Sequence, residues 1–325
     1  MAEFDLIRRL QETICDPDAR WRDHCALGIG DDAAVLEAPA GRQLVVCTDT
    51  LVEGVHFPVG TAAAAVGHKA LAVNLSDLAA MGAEPAWFFL SLTLPDDNPD
   101  WLEPFAGGLS RLAAEASIYL AGGDVASGPR NLCVTAIGLV ERGSALTRAG
   151  AAPGDLVVVS GYPGSAARAL EALQKEEIPD ERDLAALEFP QPRLQLGRAL
   201  RGLASACIDV SDGLAADLGH ILEASACGAE LELARLPCPD RMAADAESDR
   251  WRRQLSGGDD YELCFTLPAG SAEALEALGR EIGLQLTVIG RVTEVPGLLL
   301  RTPDGRRLRP ERAGWEHFGP AGGGL

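Results

Sequence analysis

The sequence has few aromatic residues, few positive charges and no long apolar runs. Aromatic residues make up 5% of the 325 residues, so we expect cores built mainly of Ala, Leu and Val. Lysine and arginine total 28 against 48 acidic residues, which gives a formal net charge of −20. Nucleic acids bind basic faces, so this balance argues against a nucleic-acid partner. Nucleotides remain possible, because bound Mg²⁺ reverses the sign of the local charge.

Several motifs that define common sites are missing from the sequence. The eight cysteines form no C-x-x-C pair, so neither a zinc site nor a thiol-redox motif is indicated. There is no G-x-x-x-x-G-K-[ST] and no protein-kinase motif set. Residues 1–5 lack the features of a signal peptide, and no apolar run reaches membrane-spanning length. We therefore expect a cytoplasmic protein that has no membrane partner.

Apolar runs and helical periodicities alternate along both halves of the chain, which predicts an α/β fold. The predicted strands include residues 43–49, 86–94, 131–141, 156–160 and 207–210, and the predicted helices include 3–14, 61–82, 100–117, 181–188, 192–205 and 240–254. The segment from Gly143 to Gly154 is rich in Gly, Ala and Pro, as expected of a domain boundary. We expect two domains, 1–147 and 148–319, and a flexible tail at 320–325.

Five segments place aspartate just past an apolar run or inside it. They contain Asp32, Asp49 (with Thr48, Thr50 and His56 nearby), Asp77, Asp124, and the pair Asp209 and Asp212. Each is weak evidence alone, since Asp32 could stabilise a turn and Asp212 could cap a helix. Mg²⁺ prefers oxygen ligands, so the whole set predicts a converging site for several Mg²⁺ ions and a polyphosphate.

Other residues have both a functional and an ordinary interpretation. Asp77 falls on the apolar face of a predicted helix, where a carboxylate must bind metal, cap a loop or meet Lys69. The Gly-rich loops 122–124 and 256–260 could approach phosphates or form plain turns. Arg148 could hold a phosphate or lie in a solvated loop, and His56 could bind substrate or simply pack.

Seven motifs in order resemble those of the thiamine-monophosphate kinase family. They are residues 28–34, 48–57, 72–82, 122–124, 146–148, 208–213 and 256–262. The resemblance covers the chain from about residue 4 to Phe318. The parent superfamily, which includes aminoimidazole ribonucleotide synthetase, shares the acidic loops but does not combine the 48–57 and 256–262 stretches.

The resemblance implies transfer of the γ-phosphate of ATP to thiamine monophosphate, directly and in line, with Mg²⁺. It implies a two-domain aminoimidazole ribonucleotide synthetase-like fold and a homodimer. The N-terminal domain would hold a mixed sheet, bind ATP and Mg²⁺ and dimerise. The C-terminal α/β domain would complete the substrate site.

Site residues follow from the resemblance by motif match. Metal contacts are implied for Asp32, Cys47, Thr48, Asp49, Asp77, Asp124, Asp209 and Asp212. Cys47 would contribute only its carbonyl, because a thiol suits Mg²⁺ poorly. The catalytic set is Asp49, Asp77, Asp124 and Asp212. ATP contacts are implied for Gly123, Asp124, Arg148 and Ser211, and thiamine monophosphate contacts for His56, Asp259 and Trp315.

The chemistry agrees with this interpretation. A phosphate acceptor is already ionised at pH 7, so the site needs positioning and charge neutralisation more than a strong base. Two alternatives stay open. One is an ATP-dependent superfamily member with another small acceptor, and the other is a non-catalytic nucleotide- or metal-binding relative. The intact set of acids argues against the second.

Overall fold

A computed structural model of the protein describes residues 3–16, 19–310 and 314. Its helices are α1 (Glu3–Ile14), α2 (Ala63–Ala80), α3 (Pro99–Ala116), α4 (Ser165–Gln174), α5 (Glu181–Glu188), α6 (Leu194–Ala199), α7 (Leu214–Ala224), α8 (Glu247–Ser256) and α9 (Ala272–Ile282). Its strands are β1 (Cys25–Leu27), β2 (Val35–Leu36), β3 (Arg42–Val52), β4 (Glu84–Leu94), β5 (Tyr119–Ser127), β6 (Asn131–Glu141), β7 (Leu156–Ser160), β8 (Ala206–Val210), β9 (Gly228–Glu232), β10 (Glu262–Leu267), β11 (Leu286–Thr293), β12 (Gly297–Arg301) and β13 (Arg307–Leu308).

The first half of the chain forms a four-stranded sheet in the order β3-β6-β4-β5. The β4–β5 pair is parallel and the other two pairs are antiparallel, which confirms the predicted mixed sheet. Asp49 pairs with Val134, Val134 with Leu90, and Leu90 with Gly123. Asp49 and Gly123 therefore share one row but lie on opposite edges, about 14 Å apart at the usual strand spacing.

The second half forms a seven-stranded sheet in the order β13-β12-β9-β11-β7-β10-β8. Its strand pairs are antiparallel except β12 with β9. Successive side chains of β7 alternate between two cores: Val157 and Val159 pack with α7, and Leu156 and Val158 pack with α6 and α9. Both faces of the central strands are thus covered, which explains why β7, β8 and β10 are buried along their whole length.

Helix α2 joins the two halves. It is apolar on nearly all sides and almost entirely buried, as expected of a helix inside a core rather than on a surface. Leu71 and Leu75 pack in the N-terminal core, whereas Ala79 packs with Leu196 of α6 in a C-terminal core. In the described residues, no helix is long and apolar enough to cross a membrane.

Some predicted boundaries are wrong. Strand β3 continues to Val52 and β5 to Ser127. Asp49 and Asp124 therefore lie inside strands, whereas the sequence predicted Asp49 at the end of its strand and Asp124 just past the end of its own. Eleven consecutive pairs with β6 hold β3 extended beyond its apolar part. Helix α6 ends at Ala199, and the predicted helix 240–254 is a short 3₁₀ turn followed by α8. Strands β12 and β13 have no counterpart in the sequence prediction.

We predict that Gly108→Ala destabilises the fold, because α2 and α3 touch through their backbones. A Cβ at Gly108 would lie 2.0 Å from the Ala64 carbonyl oxygen, so the helices must separate at a cost of about 1–3 kcal/mol. Gly107→Ala in the same helix is the matched control, since a Cβ there meets nothing within 4 Å. Urea unfolding should show the control unchanged or more stable by up to about 1 kcal/mol. Equal midpoints for the two variants would contradict the predicted close contact.

Candidate active site

A cavity of about 630 Å³ lies between the two halves of the chain, and we call it the interdomain cleft. It is formed by β3 and the loop after it, by α2, and by the loops that follow β8 and precede β10. Its lining residues are Thr48, Asp49, Thr50, Leu51, Val52, Val55, His56, Pro58, Val73, Asp77, Leu170, Leu187, Asp209, Ser211, Asp212, Gly257, Gly258, Asp259 and Tyr261.

Four predicted metal ligands, Asp49, Asp77, Asp209 and Asp212, meet in the interdomain cleft. Asp49 shares the α2-facing side of β3 with Leu51, which is buried in the N-terminal core. Burial raises the pKa of Asp77, and the charges of Asp209 and Asp49 raise it further. Burial also raises the pKa of Asp49 and Asp209. Crowded carboxylates of this kind are stabilised by a bound cation.

These oxygen donors suit Mg²⁺ better than a softer metal. Within the part of the chain that the structure describes, no three His, Cys, Asp or Glu side chains are placed to hold one ion together. Mg²⁺ is usually held by one or two carboxylates together with waters and substrate phosphates. The carboxylates of the cleft fit an ion of this kind.

Two residues that the sequence analysis missed hold the acids in place. Ser76 Oγ donates to Asp209 Oδ2 at 2.8 Å. Asp217, in the first turn of α7, accepts the backbone N–H groups of Ser211, Asp212 and Gly213 through Oδ2 at 3.0–3.1 Å. Burial, with the charges of Asp209 and Asp212, raises the pKa of Asp217 to about 8. An acid in the first helical turn after Ser-Asp-Gly was the available signal.

The two residues that precede Asp49 on β3 lie on opposite faces of the sheet. Cys47 lies on the α2 side, with Sγ 3.4 Å from the Asn74 carbonyl oxygen. Burial and the charges of Asp77 and Asp49 raise the pKa of the Cys47 thiol, so the thiol is protonated in the metal-free chain at neutral pH. Thr48 lies on the opposite side, where its hydroxyl is 3.0 Å from that of Thr135. The Thr48 hydroxyl thus faces away from the acids.

The predicted substrate contacts His56 and Asp259 also line the interdomain cleft. His56 Nδ1 accepts the N–H of Val52 at 3.0 Å, so the neutral ring carries its proton on Nε2. Asp259 is ion-paired with Lys69, which was one of the partners considered for Asp77. Trp315 lies outside the described residues.

A second cavity, of about 770 Å³, lies beside β5 and α1, and we call it the glycine cavity. It is lined by residues 28–34 and 120–125, which include Asp32, Gly123 and Asp124. In a single chain, the predicted metal and ATP contacts are therefore divided between two cavities. Ser211, a predicted ATP contact, lines the interdomain cleft. Arg148 is exposed and lines neither cavity. Its positive charge nevertheless offsets part of the rise in the pKa of Asp77 and Asp209.

The sequence matches the family of AIR synthase related proteins, its N-terminal domain over residues 30–140 and its C-terminal domain over 152–301. The thiamine-monophosphate kinase of Escherichia coli strain K12 is 44% identical to this sequence, and the match covers 97% of this chain and 98% of that protein.

Solved structures of similar proteins share the whole fold. Thiamine-monophosphate kinase from Stenotrophomonas maltophilia K279a superimposes with a TM-score of 0.85 at 46% identity, covering 92% of this chain and 96% of that one. A structure described as "AaThiL complexed with AMPPCP and TMP" has a TM-score of 0.76 at 31% identity and covers 97% of each chain. On this similarity over nearly the full length, the chain belongs to the thiamine-monophosphate kinase family.

Proposed function

We propose that the protein transfers the γ-phosphate of ATP to thiamine monophosphate in an Mg²⁺-dependent reaction that gives thiamine diphosphate and ADP. The observation that carries the proposal is the meeting of Asp49, Asp77, Asp209 and Asp212 in one interdomain cleft. A relative that covers 97% of this chain has been solved with AMPPCP and TMP, an ATP analogue and thiamine monophosphate. Because the reaction consumes ATP, we place it in the cytoplasm.

Asp49, Asp77, Asp209 and Asp212 would hold Mg²⁺ in the cleft. When bound, the ion would supply positive charge that neutralises the phosphates of the two anionic substrates. The acceptor oxygen is ionised at pH 7, so the chain itself has to orient the two substrates and exclude water. Ser76 and Asp217 serve this purpose by fixing the β8 acids through hydrogen bonds.

The wall of the interdomain cleft next to His56 suits the acceptor. The Nε2–H of His56 can donate to a phosphate oxygen. Val55, Leu170 and Leu187 supply apolar surface on the same cleft for a flat ring. A polar phosphate end and an apolar ring end match the two parts of thiamine monophosphate.

The glycine cavity would contribute to nucleotide binding through the N-terminal domain, which we assign to residues 1–147. Gly123 cannot carry a side chain, because a Cβ there would lie 2.0 Å from the Leu90 carbonyl oxygen. The bare backbone of residues 122–124 can therefore approach a phosphate, with Asp32 and Asp124 beside it for Mg²⁺. Arg148 would supply a fixed positive charge. Residues 148–319 would complete the substrate site.

We also propose a homodimer built through the outer face of the N-terminal sheet. On this face of β3, Leu44 and Val46 are 55% and 59% exposed, and Thr48 and Thr50 continue the same row. Leu27 and Val35 add exposed apolar surface at 40% and 50%. Adjacent exposed apolar side chains on a sheet commonly mark a protein interface.

The direct test of the function is ADP formation in Mg²⁺ with and without thiamine monophosphate. We predict that ADP forms only when the acceptor is present, and that unphosphorylated thiamine is a poor acceptor because it lacks the anionic oxygen. Mass spectrometry of the product should show thiamine diphosphate. Equal rates with thiamine and its monophosphate would contradict the proposed acceptor site, and no turnover with either would contradict the function.

Asp49→Asn and Asp212→Asn should each reduce kcat by about a hundredfold or more, because each removes charge that serves the transferred phosphate. Glu273→Gln is the matched control, since Glu273 is an exposed acid on α9 that lines neither cavity. Steady-state kinetics at saturating Mg²⁺ measures the effect. A variant that turns over like the control would remove that aspartate from the mechanism.

Asp49→Asn should not weaken the metal-free fold. Burial, and then the charge of Asp212, raise the pKa of Asp49, so the folded chain binds this proton more tightly than the unfolded chain does. The stability that the protonated carboxyl contributes is therefore lost as the pH rises. In EDTA, Asp49→Asn should raise Tm more at about pH 8 than at about pH 5. A lower Tm at pH 8 would mean that the residue serves folding instead.

Val46→Glu should separate the proposed dimer, because it places a charge in the middle of the outer sheet face. Ile178→Glu is the matched control, since Ile178 is 96% exposed outside that face. Sedimentation at micromolar concentration should show dimers for the wild type and the control and monomers for Val46→Glu. A wild type that sediments as a fully active monomer would contradict the proposed assembly.

A further inference from the structure

Lys69 is a buried cation on α2, and its partner comes from the other half of the chain. Its side chain is 4% exposed, and Nζ lies 2.5 Å from Asp259 Oδ2 and 3.4 Å from the His56 carbonyl oxygen. Among the described residues, Asp259 is the only carboxylate within 4.0 Å of this ammonium. A buried ammonium is costly unless it is paired, so the contact with Asp259 compensates the burial of both charges.

The loop that carries Asp259 needs such an anchor. Gly258, Asp259 and Tyr261 have φ angles of +68°, +63° and +51°, in the left-handed region that non-glycine residues avoid. The loop is pressed onto the end of β8, where the Asp259 N–H donates to the Ser211 carbonyl oxygen at 2.7 Å. Tyr261 of this loop also packs in the N-terminal core. The contacts to α2 thus offset the strain of the loop.

The ion pair changes the role expected for Asp259. A carboxylate already neutralised by an ammonium 2.5 Å away offers little net charge to a cationic ring. Asp49, Asp77 and Asp209, which line the same cleft and cluster together, remain the anionic part of the site. Asp259 therefore shapes the cleft wall rather than serving as its cation receptor.

We infer that Lys69 is a positioning residue for the phosphate acceptor, acting through Asp259 to hold the 257–261 loop against the interdomain cleft. The inference rests on the proposed function. The identity of the residue supports it: the chain contains two lysines, Lys69 and Lys175, and its other basic residues are arginine. The compact ammonium is thus used at a buried point where a forked guanidinium would demand more space and more acceptors.

The test is a double-mutant cycle with Lys69→Met, Asp259→Asn and the double variant, and with Lys175→Met at an exposed lysine as the control. We expect each single variant to raise the KM for thiamine monophosphate about tenfold while the KM for ATP changes less than about threefold. The double variant should be no worse than the worse single variant, because neither charge is then left alone. Lys69→Arg keeps the charge but not the compact shape of the ammonium, so its KM for thiamine monophosphate should fall between those of Lys69→Met and the wild type.

Other outcomes would overturn the inference. If Asp259 binds the cationic ring directly, Asp259→Asn raises the KM for thiamine monophosphate but Lys69→Met leaves it unchanged or lowers it, since the carboxylate is released. If Lys69 serves folding alone, Lys69→Met lowers Tm and the active fraction but leaves both KM values unchanged. Additive effects in the double variant would also reject it. A wild type without acceptor-dependent ADP formation would contradict the proposed function instead, so the two failures are distinguishable.

Discussion

The burial of helix α2 on nearly all sides is the constraint on which the rest of the structure depends. A polar side chain on such a helix cannot turn to water, so it must find a partner within the protein. Lys69 meets Asp259, Ser76 meets Asp209, and Asp77 lies beside Asp49. Each partner lines the interdomain cleft. The requirement to satisfy one buried helix thereby assembles the site.

Without a bound cation, the acids of the cleft lower the stability of the fold. Burial raises the pKa of Asp49, Asp77 and Asp209, and the charge of Asp49 raises the pKa of the other two further. The strands and the helix that carry these acids keep them together. Residues that oppose the fold in this way are expected where binding a cation and a polyphosphate compensates the cost.

Elements with strong periodicity could be predicted from the sequence, as α1, β6 and β7 show. The convergence of Asp49, Asp77, Asp209 and Asp212 on one site could also be predicted. The extension of β3 and β5 through their polar residues could not, because long-range pairing overrides the local pattern. The pairing of Lys69 with Asp259 spans 190 positions and leaves no local signal. The contact of Asp217 with the loop before it was within reach of sequence reasoning, since it is a local helix-terminus contact.

The strand order of the N-terminal sheet explains why the acidic motifs line two separate cavities. Asp49 and Asp124 belong to similar sequence segments, but β3 and β5 are the opposite edges of the N-terminal sheet. Strand β3 packs on α2, which also packs on β8, and the Asp49 carboxylate lines the interdomain cleft with Asp209 and Asp212. Asp124 of β5 lines the glycine cavity. Resemblance identifies the residues as a set, and the topology of the chain divides them between two cavities. The contact between the two domains and the chemistry of the cleft therefore depend on the same helix.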